Sequence, residues 1–234
     1  MTLRDFTRAL LDAKLECHEL PVAYHDNLPA RPKWLAGNEA GRSATTATVK
    51  VADVLHVVNH FLEDRRGYVV VAEAGDMLFA GADVRVGGKA AYFAQGFYAS
   101  MGFGIPGAMG IEIGTGQRPI VLCGDGAFQM TGPEIAHAPR HGIRPIVLLM
   151  NNGGWGIFRP VVERQAILEV PPWPYAELAK LWGGEGHRVT SGPDLLAALE
   201  HAEASDRFCL IEVMIGRTDL SPLSRKYIRA SSRR

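Results

Sequence analysis

Residues 119–126 read PIVLCGDG and residues 145–154 read PIVLLMNNGG. Each opens as an unbroken aliphatic run, the pattern of a strand buried on both faces, and each ends in glycines beside an oxygen-bearing side chain. Similar runs occur at 68–72, within GYVVVAEAG, and at 208–215, FCLIEVMI. Between them the apolar period lengthens to that of a helix. Val51, Val54, Leu55, Val58, Phe61 and Leu62 predict an amphipathic helix over residues 49–64, and further helices are expected near 133–141, 175–182 and 193–204. Buried strands alternating with helices imply an α/β fold, a parallel sheet flanked by helices. Its ligands should gather beyond the carboxyl ends of the strands.

Length and composition are compatible with that reading. The chain has 234 residues, 47% hydrophobic and 21% charged, enough to bury a large core. Lys plus Arg and Asp plus Glu balance at 25 each, so no net field recruits nucleic acid or an anionic membrane. Cys17, Cys123 and Cys209 have no paired spacing, which argues against a disulfide scaffold or a cysteine-held zinc. No apolar run approaches the roughly 20 residues that span a bilayer, and a cytoplasmic protein is expected. Residues 1–47, broken by prolines after a short helical pattern, read as a connector or the remnant of an upstream middle domain. Residues 48–216 form the main domain and 217–234 a carboxyl-terminal extension, whose Arg225-Lys226 and Arg233-Arg234 pairs read as a solvated tail. Thr131 with Glu134, and Ser191 with Asp194, have the spacing of helix-capping boxes.

Gly124-Asp125-Gly126 carries the chemistry. Glycines on either side let the backbone turn sharply and approach a ligand, and Asp125 offers an anionic oxygen to a hard cation. Alone, the tripeptide serves equally well as a structural turn. Asn151-Asn152-Gly153-Gly154 then falls at the corresponding end of a neighbouring strand, where Asn152 supplies an amide oxygen and the glycines a carbonyl. With phosphate oxygens these groups would complete most of the oxygen shell of Mg²⁺.

The pair of motifs, with 27 positions from Asp125 to Asn152, resembles the cofactor-binding signature of thiamine diphosphate-dependent enzymes. The resemblance extends over about residues 49–225 and implies the thiamine diphosphate-binding fold, with Asp125, Asn152 and the Gly154 carbonyl as Mg²⁺ ligands. It implies further cofactor contacts from Glu73, Gly75, Asp76 and Met77 after the first strand, with Ala74 where decarboxylases of this class often have threonine. Ala99 and Met101 match the segment around the thiamine rings, Met101 as the apolar residue beneath the bent cofactor. Gly124, Gly126, Ala127, Phe128 and Trp155 complete the expected lining. GDGAFQMTGPEIAHAP is most similar to indolepyruvate and phenylpyruvate decarboxylases, which implies cleavage of a 2-oxo acid. The first strands lack the G-x-G-x-x-G turn of a dinucleotide site.

Two departures qualify the implied activity. In this family a glutamate from a separate pyrimidine-binding domain activates the cofactor, and Glu73, Glu112 and Glu134 are poor substitutes. The resemblance therefore implies a pyrimidine-binding domain or subunit as partner, in a homodimer or hetero-oligomer. Pyruvate decarboxylases also place a glutamate six residues after the asparagine ligand, where this chain has Phe158. An aromatic there would shape an apolar pocket for a bulky or aromatic 2-oxo acid. The alternatives are half of an acetolactate synthase-like carboligase, or a truncated non-enzymatic cofactor-binding or interaction protein. The histidine pairs His56/His60 and His137/His141 lack a third metal ligand in the sequence, and His187 has no assigned role. Trp155, Phe158, Pro160, Trp173, Tyr175 and Trp182 are expected in the core, with a pocket wall or interface as the other reading.

Overall fold

Six strands form one all-parallel sheet in the order β2-β1-β3-β4-β6-β5. They are β1 Tyr68–Ala72, β2 Tyr92–Ala94, β3 Arg118–Gly124, β4 Ile146–Asn151, β5 Glu185–Val189 and β6 Cys209–Met214. The computed structural model describes residues 27–36, 49–87 and 91–231. The helix expected in the first residues, Cys17, His18 and His25 lie outside these. The principal helices are α1 Val51–Leu62, α2 Asp76–Ala80, α3 Gly104–Thr115, α4 Asp125–Thr131, α5 Tyr175–Leu181, α6 Gly192–Ala204 and α7 Pro222–Ser231. The α/β architecture read from the sequence is the one observed.

Alternation along the strands explains why helices cover both faces. Val70, Ile120, Leu122, Ile146, Leu148, Ile211 and Val213 point to one side, where Val54, Leu55 and Val58 of α1 and Leu195 and Leu199 of α6 meet them. Val69, Val71, Val121, Val147, Leu149 and Leu210 point to the other, against Ile105 of α3, Phe128 of α4 and Tyr175 of α5. Leu148 is fully buried in this packing, and its replacement by alanine would cost about 2–5 kcal/mol. Among the described residues no helix is long and apolar enough to cross a membrane.

Some local expectations require correction. Thr131 does not cap a helix: α4 begins at Asp125 and ends at Thr131, and a 3₁₀ segment Gly132–His137 follows. The Thr131 hydroxyl instead donates to the Gly102 carbonyl at 2.6 Å. Ser191 does cap α6, accepting from the Asp194 N–H at 3.2 Å. Arg225 and Lys226 are exposed, as expected, but in helical structure. They lie on α7, which packs beside α2 through Phe79 and Tyr227, rings 5.5 Å apart. Arg225 pairs with Asp219, and Lys226 donates to Asn27 at 2.6 Å.

Candidate cofactor and metal site

From β1 the chain crosses to β2 on one side, and β3 then returns to pair with β1 on the other. The strand order therefore reverses between β1 and β3, the place where open parallel sheets leave a crevice at their carboxyl ends. The loops after β1, β3 and β4 meet there. Gly75, Asp76, Met77, Met101, Gly124, Asp125, Gly126, Ala127, Asn152, Gly154 and Trp155 line one cleft, together with Ala74, Met150, Gly156, Ile157 and Ile215. A larger opening lies beside Arg31, His56 and Arg85. It lacks a comparable set of oxygen donors, so chemistry rather than volume distinguishes the site.

Asp125 sits at the centre, 1% exposed, at the first position of α4. One carboxylate oxygen accepts from the Gly126 N–H at 2.8 Å, and the other from the Gly154 N–H at 3.0 Å. Burial pushes its pKa up to about 6, against the lowering effect of the surrounding amides. No ion pair with a lysine or arginine compensates this carboxylate among the described residues. A buried carboxylate held only by neutral amides is a site in which added positive charge is strongly favoured.

The loop after β4 is shaped to bring Asn152 alongside. Asn151 is spent on structure, its amide donating to Glu212 at 2.6 Å and its oxygen accepting from the Gly153 N–H at 3.2 Å. The Asn152 side-chain oxygen accepts from the Gly154 N–H at 3.2 Å. Gly154 has φ +154°, and a Cβ there would lie 2.0 Å from the Leu168 carbonyl oxygen, so this close approach demands glycine. Its own carbonyl accepts from the Gly156 N–H at 2.9 Å, which leaves the second lone pair for a ligand. Trp155 packs over Gly126, where a Cβ would come within 2.9 Å of the indole.

Glu73 has a different place from the one its motif implies. It is fully buried and does not line the cleft. One oxygen accepts from the N–H groups of Ala74 at 2.7 Å and Gly102 at 3.2 Å, and the other from Gly104 at 2.7 Å. The carboxylate thus pins the 99–104 loop to the end of β1 and thereby positions Met101. Burial raises the Glu73 pKa, opposed by these amides. Ala99, at φ +57°, belongs to the same loop but is exposed and outside the cleft. Phe128 is fully buried against Tyr175, ring centroids 5.7 Å apart, and serves the core. Phe158 is 41% exposed and also stands outside the cleft. Asp76 lines it, but its carboxylate accepts from the Ser221 N–H at 2.9 Å and hydroxyl at 2.7 Å.

The residues present fit the group that the motifs imply. A buried carboxylate, an amide oxygen and a backbone carbonyl are the hard donors that Mg²⁺ takes, leaving further positions for phosphate and water. Beside them no atom stands within 4 Å of where a Cβ would project from Gly75 or Gly124, so the backbone there is open to a diphosphate. The first turn of α4 adds N–H groups without helical acceptors. Asp125, Asn152 and Gly154 could hold the ion, and Met77 and Met101 supply apolar walls.

Comparison with known proteins agrees with this geometry. Residues 73–213 match the family described as thiamine pyrophosphate enzyme, C-terminal TPP binding domain. An indole-3-pyruvate decarboxylase of Azospirillum brasilense is 33% identical over 245 aligned residues, covering 99% of this chain and 44% of that protein. An alpha-keto-acid decarboxylase of Mycobacterium avium is 29% identical over 172 residues, 71% of this chain and 31% of the relative. Among solved structures, a thiamine diphosphate-dependent 4-hydroxybenzoylformate decarboxylase of Rhodococcus jostii RHA1 superposes with a TM-score of 0.64 at 25% identity, over 73% of this chain and 33% of that one. The chain spans less than half the length of each of these relatives. It belongs to the thiamine diphosphate-dependent enzymes, as a C-terminal cofactor-binding domain homologous to those of indolepyruvate and alpha-keto-acid decarboxylases.

Proposed function

We propose that this chain is the thiamine diphosphate- and Mg²⁺-holding component of a non-oxidative 2-oxo-acid decarboxylase. The observation that carries the reading is the convergence of Asn152 and Gly154, from the end of the adjacent strand, beside the buried Asp125 carboxylate, which has no lysine or arginine partner among the described residues. The bound cofactor supplies the electron sink for loss of carbon dioxide from a 2-oxo acid. The chain's own residues fasten the diphosphate through Mg²⁺, hold the ring segment through Glu73 and Met101, and exclude water with Met77 and Trp155. The acid that activates the cofactor comes from a pyrimidine-binding domain outside these residues, on the same polypeptide or on a partner in a dimer or hetero-oligomer. Phe158, exposed at the side of the loop after β4, would face that domain and favour a bulky or aromatic substrate. The buried free thiols Cys123 and Cys209 are compatible with a reducing cytoplasm.

Calorimetry with thiamine diphosphate, with and without Mg²⁺, tests the site directly. Magnesium-dependent binding is expected, with Asp125→Ala and Asn152→Ala each weakening it at least about tenfold, the scale of a lost charge-assisted contact. No such binding by the folded protein, including with a pyrimidine-binding subunit present, overturns the reading. Comparable turnover of pyruvate and phenylpyruvate by the reconstituted complex counts against the role given to Phe158.

A further inference from the structure

The edge of the sheet carries a second cluster of metal-ligating side chains, unrelated to the diphosphate site. On β5, Glu185 and His187 are two residues apart and so project to the same face. His201 reaches them from α6, with its Nε2 2.6 Å from the Glu185 carboxylate. The Nε2 of His187 lies 3.9 Å from the same carboxylate oxygen. The two imidazole rings stand 5.0 Å apart at 67°. One ligand atom from each residue lies within 4.8 Å of the others, so side-chain shifts of about an ångström would place all three around one ion at the usual 2.0–2.2 Å.

We propose that Glu185, His187 and His201 form a binding site for a divalent transition ion of the Zn²⁺ type, distinct from the Mg²⁺ site. Two imidazoles and one carboxylate select such ions over Mg²⁺, which prefers oxygen throughout. The His187 Nε2 is buried yet has no hydrogen-bond partner, a cost that a metal bond would remove. Burial first, then His201 and Lys180, hold this imidazole below its ordinary pKa, so it presents a lone pair at neutral pH. The carboxylate is already oriented: its other oxygen accepts from the Ser205 hydroxyl at 2.8 Å, and that hydroxyl accepts from the Arg207 N–H at 3.1 Å. Binding replaces the hydrogen between His201 Nε2 and Glu185, which moves to Nδ1 or to solvent.

The site lies far from the diphosphate cleft. Glu185 is in register with Cys209 and through it with Ile146, at the start of β4, whereas Asn152 follows the end of that strand, roughly 20 Å further along. An ion here would tie the short edge strand β5 to α6. The His201 side chain is 57% exposed, so a coordination position stays open to water or to a ligand from another molecule.

The test uses the full chain, stripped of metal and kept in excess Mg²⁺, titrated with Zn²⁺ by calorimetry and with Co²⁺ by visible absorption. One equivalent of Zn²⁺ is expected, with a Tm rise of roughly 5 °C at a hundredfold excess over Kd. His187→Ala and His201→Ala should abolish both effects, Ser205→Ala should weaken binding roughly 10–100-fold, and Asp125→Ala should leave them intact. The exposed His201 makes its variant a safe test of folding, checked by circular dichroism. Absence of a saturable equivalent, its survival in His201→Ala, or a cobalt–thiolate charge-transfer band would overturn the proposal.

Discussion

Replacing Glu73 by glutamine changes one heavy atom and tests how the ring-binding loop is held. If the amide oxygen keeps its contacts to Ala74 and Gly102, the new NH₂ faces the Gly104 N–H across the 2.7 Å that the carboxylate oxygen now spans. Two donors then oppose each other in a fully buried place. Loss of one hydrogen bond to a charged acceptor costs about 1.5–3 kcal/mol. Against this, the neutral amide escapes the desolvation that raises the carboxyl pKa, which brings the net to the lower part of that range. About 1.5–2 kcal/mol corresponds to a factor of roughly 10–30. The cost should appear locally, as hydrogen exchange at Gly102 and Gly104 faster by about that factor and as a similar loss of magnesium-dependent thiamine diphosphate affinity. Unchanged protection at Gly104, with cofactor affinity within about twofold of wild type, would refute the role given to Glu73.

Two further outcomes are expected. Asp125, raised from 3.8 to about 6 in the metal-free chain, is favoured in its protonated form by the fold. Its contribution to stability is therefore present below pH 3.8 and lost as pH rises through about 6. Mg²⁺ needs the ionised form, so its affinity should fall about tenfold per pH unit below that value, while the metal-free fold gains stability; calorimetry and thermal melts across that range check the opposite signs, and Asp125→Asn should remove both. Gly154→Ala drives a methyl into the Leu168 carbonyl at a positive φ, for an expected loss of about 2–4 kcal/mol, measured by denaturant unfolding; a midpoint equal to wild type would show that the loop is free to move.

The strands that build the cleft were legible because they are buried on both faces, so β1, β3, β4 and β6 read as aliphatic runs. The short edge strand β5, Glu185–Val189, has only two buried residues and a charged outer face, and no aliphatic run marks it. The glycines of α3, Gly104, Gly107, Gly110 and Gly114, obscured a helix that tertiary packing sustains. Asp125 and Asn152 were legible from the spacing of their two glycine-rich motifs, and the structure brings both side chains to the Gly154 N–H. Glu73 was read from the turn after β1 as a cofactor contact, yet two of its amide partners lie about 30 residues away, which no local pattern reveals. His187 acquired its neighbours in the same way, by the packing of α6 on β5.

The hydrogen bonds that shape the cleft have a kinetic consequence. Those from Gly102 and Gly104 to Glu73, and from Gly154 to Asp125, close loops of 29, 31 and 29 residues, and β3 pairs with β1 on the side opposite β2. Such non-local contacts form late, because the entropy of closing each loop must be met before the contact rewards it. The cofactor site would then be completed only with the finished sheet. Ligand added during refolding should slow global unfolding without accelerating the folding arm, acting as a seal on the finished sheet rather than as a template for it.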